Sequence, residues 1–263
     1  MKNRKSLGQH WLKDRGILTK IAAYANIEGS TVLEIGPGLG FLTSVLLKSA
    51  AKVVAVEFDT ELARKLPASF PGKNLEVINA DFLQYDLGQL PQGYKVVANV
   101  PYYITSKIVQ KLLTAKNKPS EIVLLVQKEV AERMAARPGE LSILGVSAQV
   151  YADVELAEVV PAKMFTPPPK VDSQVVIMRP HGSCKVASHK EKDFFRLVKV
   201  GFSSPRKKVV SNLVNGLHLE RAEVEACFNR LGLSINLRAQ DLSIPDWLAI
   251  LAAVDPRKAS DEK

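Results

Sequence analysis

The chain has 263 residues, 46% of them apolar, and a mean hydropathy near zero, which is typical of a globular protein with a substantial core. No apolar run approaches the roughly 20 residues that a membrane-spanning helix needs, and two distant cysteines, Cys184 and Cys227, indicate neither a disulfide framework nor a zinc site. The formal net charge of +9 favours an acidic partner such as nucleic acid.

The first predicted element is a basic N-terminal segment. Residues 1–20 carry one acidic side chain and six basic ones, namely Lys2, Arg4, Lys5, Lys13, Arg15 and Lys20. Because residues 6–10 do not form an apolar run, the segment is not a secretory signal, and we expect a cytoplasmic protein. Lys2, Arg4 and Lys5 suit the binding of nucleic-acid phosphates, although a basic cluster is equally typical of a solubilising surface.

Short β-branched segments then alternate with helical segments as far as about residue 126. Strands are predicted at 32–35, 53–56, 75–78, 96–98 and 122–126. This alternation predicts βαβ units and a mostly parallel sheet. Two further extended segments, at 154–160 and 174–178, flank a proline-rich loop and predict a hairpin at the edge of the sheet.

After residue 182 the strand pattern ends. Helices are predicted at 192–202, 206–215, 221–231 and 244–253, and a second basic cluster, Arg206-Lys207-Lys208, begins the second of them. We therefore expect a first domain over 1–182, with a basic arm and helix in 1–30, and a helical domain over 183–263.

A glycine-rich turn follows the first predicted strand and opens a helix at Phe41. Its sequence is Glu34-Ile35-Gly36-Pro37-Gly38-Leu39-Gly40. Glycines here let the backbone approach a ligand and direct helix N-terminal amides toward it. The glycine spacing is one residue shorter than the dinucleotide fingerprint and Pro37 lacks an N–H donor, so NAD or FAD is disfavoured. A purely structural turn is the alternative.

Acidic residues follow the next two predicted strands. Glu57 lies at the distance downstream where a carboxylate accepts the hydroxyls of a ribose. Asp81 is placed to accept a hydrogen bond from an adenine amine, with Phe82 packing near the ring. Either acid alone is equally explained as a helix cap or a turn residue. Together with the glycines they indicate an adenosine-bearing ligand held without phosphate contacts, a description that S-adenosylmethionine meets.

The tetrapeptide Asn99-Val100-Pro101-Tyr102 follows the predicted strand 96–98 and precedes a predicted helix over 104–113. It therefore lies at the carboxyl end of a strand, where α/β sheets bind ligands. An amide, a rigid backbone and an aromatic face within four residues suit a site that holds the exocyclic amine of an extruded base. A tight turn with a half-buried tyrosine is the alternative.

Five segments together resemble the ribosomal RNA adenine dimethyltransferases, and the resemblance covers nearly the whole chain. Residues 7–12 resemble that family's N-terminal cofactor-side motif, residues 34–40 its glycine loop and residues 99–105 its catalytic loop. Residues 165–173 resemble its post-catalytic loop, and residues 201–208 resemble the start of its C-terminal helical domain. Trp11 stands where Phe is commoner and Val100 where Leu is usual, and both substitutions are apolar. The most similar branch dimethylates two adjacent adenines in the 3′-terminal hairpin loop of small-subunit ribosomal RNA.

The resemblance implies an α/β fold, a Rossmann-like class I methyltransferase with a mostly parallel seven-stranded sheet and a small C-terminal all-helical domain. It implies S-adenosylmethionine as methyl donor, S-adenosylhomocysteine as product, and no metal. Taken with the strand-end residues above, the predicted cofactor-binding set is His10, Leu12, Gly36, Gly38, Glu57, Asp81, Phe82 and Asn99.

The adenine amine is a poor nucleophile because its lone pair is delocalised into the ring, so methyl transfer needs alignment and well-placed acceptors. We expect the Asn99 side-chain oxygen and the Val100 carbonyl to accept from the two amine hydrogens. Pro101 is expected to hold that carbonyl in place, while Tyr102 stacks on the base. Phe165 is the candidate for the opposite face of the base, and a core aromatic that anchors the proline loop is the alternative.

The expected partner is the small ribosomal subunit, contacted by Lys2, Arg4, Lys5, Arg206, Lys207 and Lys208, and the enzyme is expected to be a monomer without membrane association. Three other functions are considered: a large-subunit adenine methyltransferase of the macrolide-resistance type, a non-catalytic RNA-binding assembly factor, and a dinucleotide-dependent reductase. The proline loop and residues 201–208 disfavour a large-subunit methyltransferase. The intact site residues disfavour a non-catalytic factor, and the glycine spacing disfavours a reductase.

Overall fold

A computed structural model describes residues 10–254, which divide into two compact units. The first holds residues 10–132 and 152–180, and the second holds residues 133–151 and 181–254. The chain thus changes unit at three places, whereas the sequence predicts one boundary near residue 182. Residues 133–151 belong to the second unit, although the sequence predicts them in the first. The reason is that a helical segment inserted between two strands has the same sequence pattern as a crossover helix.

The first unit is built on a seven-stranded sheet. Its strands are β2 (Thr31–Ile35), β3 (Lys52–Glu57), β4 (Leu75–Asn79), β5 (Lys95–Asn99), β6 (Glu121–Gln127), β7 (Ala152–Val160) and β9 (Ser173–Pro180). Two short strands, β1 (Trp11–Leu12) and β8 (Phe165–Thr166), pair antiparallel with each other. Every predicted strand is present, but strands of two residues are too short for sequence periodicity to indicate.

The strand order in the sheet is β4-β3-β2-β5-β6-β9-β7. Neighbours from β4 to β6 are parallel, while β9 runs antiparallel to both β6 and β7. The predicted mostly parallel sheet and its edge hairpin are therefore confirmed. Because β2, β3, β4 and β5 point the same way, the residues that follow them emerge at one edge of the sheet.

Continuous apolar sequence explains why the central strands are internal. In β6, all five residues from Ile122 to Val126 are fully buried, as expected for a strand covered on both faces. The covering helices of this unit are α1 (Arg15–Tyr24), α2 (Thr43–Leu46), α3 (Thr60–Lys65) and α4 (Thr105–Thr114). A short 3₁₀ turn at Tyr102–Ile104 precedes α4, so the predicted helix over 104–113 begins one residue later than expected.

The second unit is helical. Its helices are α6 (Ile143–Gln149), α7 (Glu191–Gly201), α8 (Val209–Leu217), α9 (Arg221–Arg230) and α10 (Ile244–Ala253). In the sequence, the boundary after residue 132 falls within α5 (Lys128–Met134). The four predicted C-terminal helices are present. However, α8 begins at Val209 instead of residue 206, because the buried Asn212 side chain donates to the carbonyls of Gly201 and Ser204 and stabilises a turn there.

Candidate active site

A cavity of about 1310 Å³, including its open mouth, lies at the carboxyl ends of β2, β3, β4 and β5. Its lining comes from residues 10–12, 34–38, 56–58, 80–83 and 99–104, together with Leu18, Phe41 and Leu42. All eight predicted cofactor-binding residues are in this lining, as is the whole Asn99–Tyr102 tetrapeptide. The fold therefore brings these residues together, and their individual roles stay predictions.

The glycine turn forms one wall of the cavity. The Gly36 N–H donates to the Val56 carbonyl over 2.9 Å, which fixes the turn to the end of β3. Gly36, Gly38 and Gly40 have φ values of +66°, +58° and +80°, a region that favours glycine. A Cβ on Gly38 would lie 3.3 Å from the Trp11 indole nitrogen, so glycine permits this close approach.

Glu57 fixes the end of β3 to the glycine turn. One of its carboxylate oxygens, Oε2, accepts from the Gly38 N–H over 3.0 Å, and the other, Oε1, accepts from the Asp59 N–H over 2.8 Å. Burial raises the pKa of Glu57, and the two backbone N–H donors oppose that rise. Since each carboxylate oxygen has a second acceptor site, Glu57 retains capacity to accept ribose hydroxyls.

Glu34 is a second buried carboxyl group in the lining. Its Oε2 atom accepts from the Thr43 hydroxyl over 2.7 Å. Burial raises its pKa to about 8, and the negative charge of Glu57 adds to the rise while the Thr43 hydrogen bond opposes it. Glu34 therefore carries its proton over much of the physiological pH range in this state.

Asp81 and Phe82 form the wall that follows β4. The Asp81 side chain accepts from the Leu83 N–H over 2.9 Å, which orients the turn. The Lys111 ammonium lies 5.7 Å from the centre of the Phe82 ring and donates to the Leu83 carbonyl over 3.0 Å. This cation–π contact holds the Phe82 ring in position beside the cavity.

Asn99 lies at the end of β5 and contacts a distant part of the chain. Its Nδ2 atom donates to the His10 carbonyl over 3.3 Å. Because a carbonyl only accepts, this contact identifies the amide nitrogen and leaves Oδ1 as an acceptor. The Nδ1 atom of His10 in turn donates to the Pro167 carbonyl over 2.8 Å, which fixes the imidazole and its proton.

Tyr102 is held by two contacts. Its hydroxyl shares a 2.6 Å hydrogen bond with the hydroxyl of Ser173, a fully buried residue at the start of β9. Its ring stacks with the His10 imidazole, with centroids 5.9 Å apart and planes inclined by 17°. Burial raises the pKa of the Tyr102 hydroxyl, so that the group stays protonated. The ring orientation is therefore determined by residues far away in the sequence.

Phe165 is not brought to the cavity. Only 3% of it is exposed, and it packs in the core of the first unit with residues such as Leu12 and Val160. In this structure Phe165 is not available to stack on the target base, contrary to the expectation from the sequence, because apolar neighbours enclose its ring. It instead anchors the proline loop through the β1–β8 pair, the structural role that the sequence left open.

The predicted RNA-binding residues fall into two groups. Arg206, Lys207 and Lys208 are exposed in the turn before α8, in the second unit. Lys2, Arg4 and Lys5 lie outside the described residues. Both assignments stay predictions.

Several lining residues have no role in the sequence-based prediction, namely Glu34, Phe58 and Tyr103, and Ser173 is a further contact that it does not include. The position of Glu34 as the first residue of the glycine turn is a sequence signal that could have identified it. The partnership of Ser173 with Tyr102 has no local signal, since 71 residues separate them.

The donor set tests which ligand fits the cavity. The described lining residues include three acidic side chains, Glu34, Glu57 and Asp81, and no Lys or Arg. A dinucleotide needs cationic or backbone donors for its pyrophosphate, whereas S-adenosylmethionine brings a sulfonium and an ammonium group. The acidic lining therefore fits S-adenosylmethionine and disfavours a dinucleotide.

Within residues 10–254, no cluster of three or more His, Cys, Asp or Glu side chains is arranged to hold a metal ion. Over the same residues, no helix combines the length and apolar character required to cross a membrane.

The sequence pattern of the family described as "Ribosomal RNA adenine dimethylase" matches residues 1–255. A protein from Dehalococcoides mccartyi named "Ribosomal RNA small subunit methyltransferase A" is 41% identical over 254 residues, covering 94% of this chain and 87% of its own length. A protein of the same name from Acaryochloris marina is 42% identical over 265 residues, covering 96% and 97%.

Two solved structures are similar over 92% of the chain. A dimethyladenosine transferase from Plasmodium falciparum is 30% identical, with a TM-score of 0.80 and 96% of its own chain covered. The 23S rRNA methyltransferase ErmE is 29% identical, with a TM-score of 0.75 and 98% of its own chain covered. The class I methyltransferase fold expected from the sequence is thereby confirmed.

Proposed function

The chain belongs to the ribosomal RNA adenine dimethylase family, and from this membership we infer that it is an S-adenosylmethionine-dependent enzyme that dimethylates adenine in small-subunit ribosomal RNA. The observation that carries the chemistry is the convergence of Asn99 with Glu57 and Asp81 on one cavity. We propose that its targets are two adjacent adenines in the 3′-terminal hairpin loop.

When bound, S-adenosylmethionine supplies an electrophilic methyl group. Glu57 is placed to accept the ribose hydroxyls, and Asp81 to accept from the adenine amine of the cofactor, with Phe82 against the ring. Carboxylates such as Glu57 at the cavity favour a positively charged ligand electrostatically, whereas the protonated Glu34 contributes a polar, uncharged group. These residues bind and orient the donor through the chain's own carboxylates.

Asn99 acts on the target amine. Its Oδ1 atom accepts one amine hydrogen, and the Val100 carbonyl accepts the other. Both acceptors favour a nitrogen that becomes tetrahedral and positively charged as the methyl group transfers. Pro101, with its fixed φ, holds the Val100 carbonyl in place. A dedicated general base is not required, since the amine proton can leave to water after transfer.

Tyr102 provides the stacking face for the target base. Such base–aromatic contacts contribute roughly 1–3 kcal/mol per base. The Ser173 hydrogen bond and the His10 stacking contact orient this ring before RNA binds, which lowers the entropic cost of binding. Because a base inside a duplex does not reach such a cavity, the substrate adenine is unpaired or extruded from a loop.

A large-subunit substrate is the second candidate, since the fold is also similar to ErmE. The relatives that are 41–42% identical are named as small-subunit enzymes, which favours the small subunit. We further propose that the protein is monomeric and cytoplasmic, and that basic residues including Arg206, Lys207 and Lys208 bind RNA phosphates.

The function is tested by incubating the protein and labelled S-adenosylmethionine separately with undermethylated small and large ribosomal subunits. Nucleosides are then analysed by mass spectrometry, and the modified fragment is sequenced. We expect dimethyladenosine in the 3′-terminal hairpin of the small-subunit RNA. Label in large-subunit RNA alone would support the second candidate, and no label in either subunit would contradict an enzymatic function.

A further inference from the structure

Two aromatic residues at the cavity are unusually exposed. Among the described large hydrophobic residues, Tyr103 is 64% exposed and Phe58 is 61% exposed, and both line the cavity. The four other exposed large hydrophobic residues are aliphatic and lie outside the lining. Single exposed hydrophobic residues are common on protein surfaces, but here both exposed aromatic residues line the same cavity, an arrangement that is typical of a ligand-binding surface.

The two exposed rings lie beside different parts of the site. Phe58 directly follows Glu57 and therefore lies at the end that holds the cofactor ribose. Tyr103 directly follows Tyr102 and lies at the end that holds the target base. Tyr102 is held by Ser173 and His10, whereas most of Tyr103 faces solvent. The two adjacent tyrosines thus provide one oriented ring in the cavity and one exposed ring at its mouth.

We propose that Tyr103 is a substrate-binding residue whose ring stacks on the nucleotide next to the target adenine while the target occupies the cavity. This inference rests on the proposed function, since it takes the substrate to be an RNA loop with two adjacent adenines. When one adenine occupies the cavity, the other is its neighbour in the chain. Tyr103 therefore holds the second adenine ready for its own reaction.

Extrusion of the target base explains why its neighbouring nucleotide needs an aromatic face to stack on. Withdrawing one base from a stack removes a stacking partner from its neighbour, at a cost of a few kcal/mol. An exposed aromatic face at the mouth replaces that partner. Lys107, which is exposed in the first turn of α4 four residues after Tyr103, supplies a positive charge for a flanking phosphate. The combination of an aromatic face and a nearby cation is typical of surfaces that bind unpaired nucleic acid.

The experiment compares Tyr103→Ala with the conservative Tyr103→Phe, and uses Phe58→Ala as the matched aromatic control at the cofactor end. Undermethylated small subunits are methylated with labelled S-adenosylmethionine, and KM is determined for the subunits and for the cofactor. Mass spectrometry of the hairpin fragment resolves the two adenines at early times. Thermal unfolding and cofactor binding are measured for each variant.

We expect Tyr103→Ala to raise the KM for subunits about tenfold and to increase the share of RNA modified at one adenine only. Tyr103→Phe should remain near wild type because it keeps the ring, and Phe58→Ala should not change the ratio of the two adenines. The proposal is overturned if Tyr103→Ala leaves the KM for subunits and this ratio unchanged. It is also overturned if Tyr103→Ala weakens cofactor binding as strongly as subunit binding. A wild-type protein that fails to methylate adenine would instead contradict the proposed function.

Discussion

The side-chain amide of Asn99 donates a hydrogen bond to the main-chain carbonyl of His10, which precedes it by 89 residues. The His10 imidazole extends the same connection to Pro167 in the proline loop and stacks against Tyr102. One residue of the N-terminal segment therefore joins the two side chains that we propose to act in catalysis to the loop that follows β8. The side-chain oxygen of Asn99 is oriented by this connection and not by residues 99–102 alone.

The first prediction concerns Asn99. Replacing it by Ala removes the amine acceptor and the contact with His10, so we expect kcat to fall at least a hundredfold. Cofactor affinity should change much less, because Glu57 and Asp81 remain. Single-turnover methylation and calorimetric titration with S-adenosylmethionine measure the two effects. Normal turnover by Asn99→Ala in a purified assay would refute the proposed mechanism.

The second prediction concerns Glu57. Its two oxygens accept from two different backbone N–H groups, so in Glu57→Gln the new amide NH₂ group must face one of those donors. We expect the affinity for S-adenosylmethionine to fall about tenfold or more, as hydrogen bonds to charged groups contribute roughly 1.5–3 kcal/mol. Calorimetry measures the dissociation constant. Glu61→Gln, at an exposed position on α3, is the matched control, and equal affinities for the two variants would contradict the assigned role.

The third prediction compares two glycines with positive φ. A Cβ on Gly40 would lie 2.7 Å from Leu66 Cδ1 and 2.9 Å from the Phe70 ring, whereas a Cβ on Gly72 would meet nothing within 4 Å. Both Gly→Ala variants bear the left-handed backbone strain, but only Gly40→Ala also overpacks the interior. We expect Gly40→Ala to lower the free energy of unfolding by about 1–3 kcal/mol more than Gly72→Ala. Urea denaturation measures the difference, and equal losses would show that the loop relaxes freely.

The fourth prediction concerns pH. A glutamate in an unfolded chain ionises near pH 4.3, whereas burial raises the pKa of Glu34 to about 8 in the folded protein. Between these values the folded protein binds one more proton than the unfolded chain, so the stability contributed by Glu34 falls as pH rises and is fully lost above about pH 8. Between these two pH values the free energy of unfolding therefore falls by about 1.4 kcal/mol per pH unit.

Urea titrations of the wild type and Glu34→Gln at pH 5, 6, 7 and 8 isolate this effect. The variant keeps an oxygen that accepts from Thr43 but does not titrate. We expect the stability of the wild type relative to the variant to decline steadily over this range. A constant difference would mean that Glu34 is ionised in the folded protein throughout.

The fifth prediction concerns RNA binding. Replacing Arg206, Lys207 and Lys208 by Gln should weaken binding and reduce the slope of log affinity against log salt by about one for each phosphate that is no longer neutralised. Filter binding to small-subunit RNA over a range of salt concentrations measures the slope. The control makes the same charge change at Lys48, Lys73 and Lys116, exposed in loops that lead into the amino ends of strands, away from the cavity. The same slope for both triple variants would contradict a specific role for residues 206–208.

The sequence determined the sheet and the composition of the cavity. Alternating strands and helices require parallel strands, and the carboxyl ends of parallel strands meet at one edge. Consequently the glycine turn, Glu57, Asp81 and Asn99 could be assigned to one site from their positions after successive strands. The cavity confirms that they come together.

The choice of the side chains that orient this site depends on the packing of distant segments. His10 and Pro167 are 157 residues apart, and Tyr102 and Ser173 are 71 apart, so neither contact leaves a periodic signal in the sequence. The two-residue pair β1–β8 likewise buries Phe165, for which the sequence allowed both the core and the base-binding surface. Local periodicity specifies which residues form strands and where those strands end. Contacts between distant segments form only when the whole unit packs, and they determine the orientation of Asn99 and Tyr102.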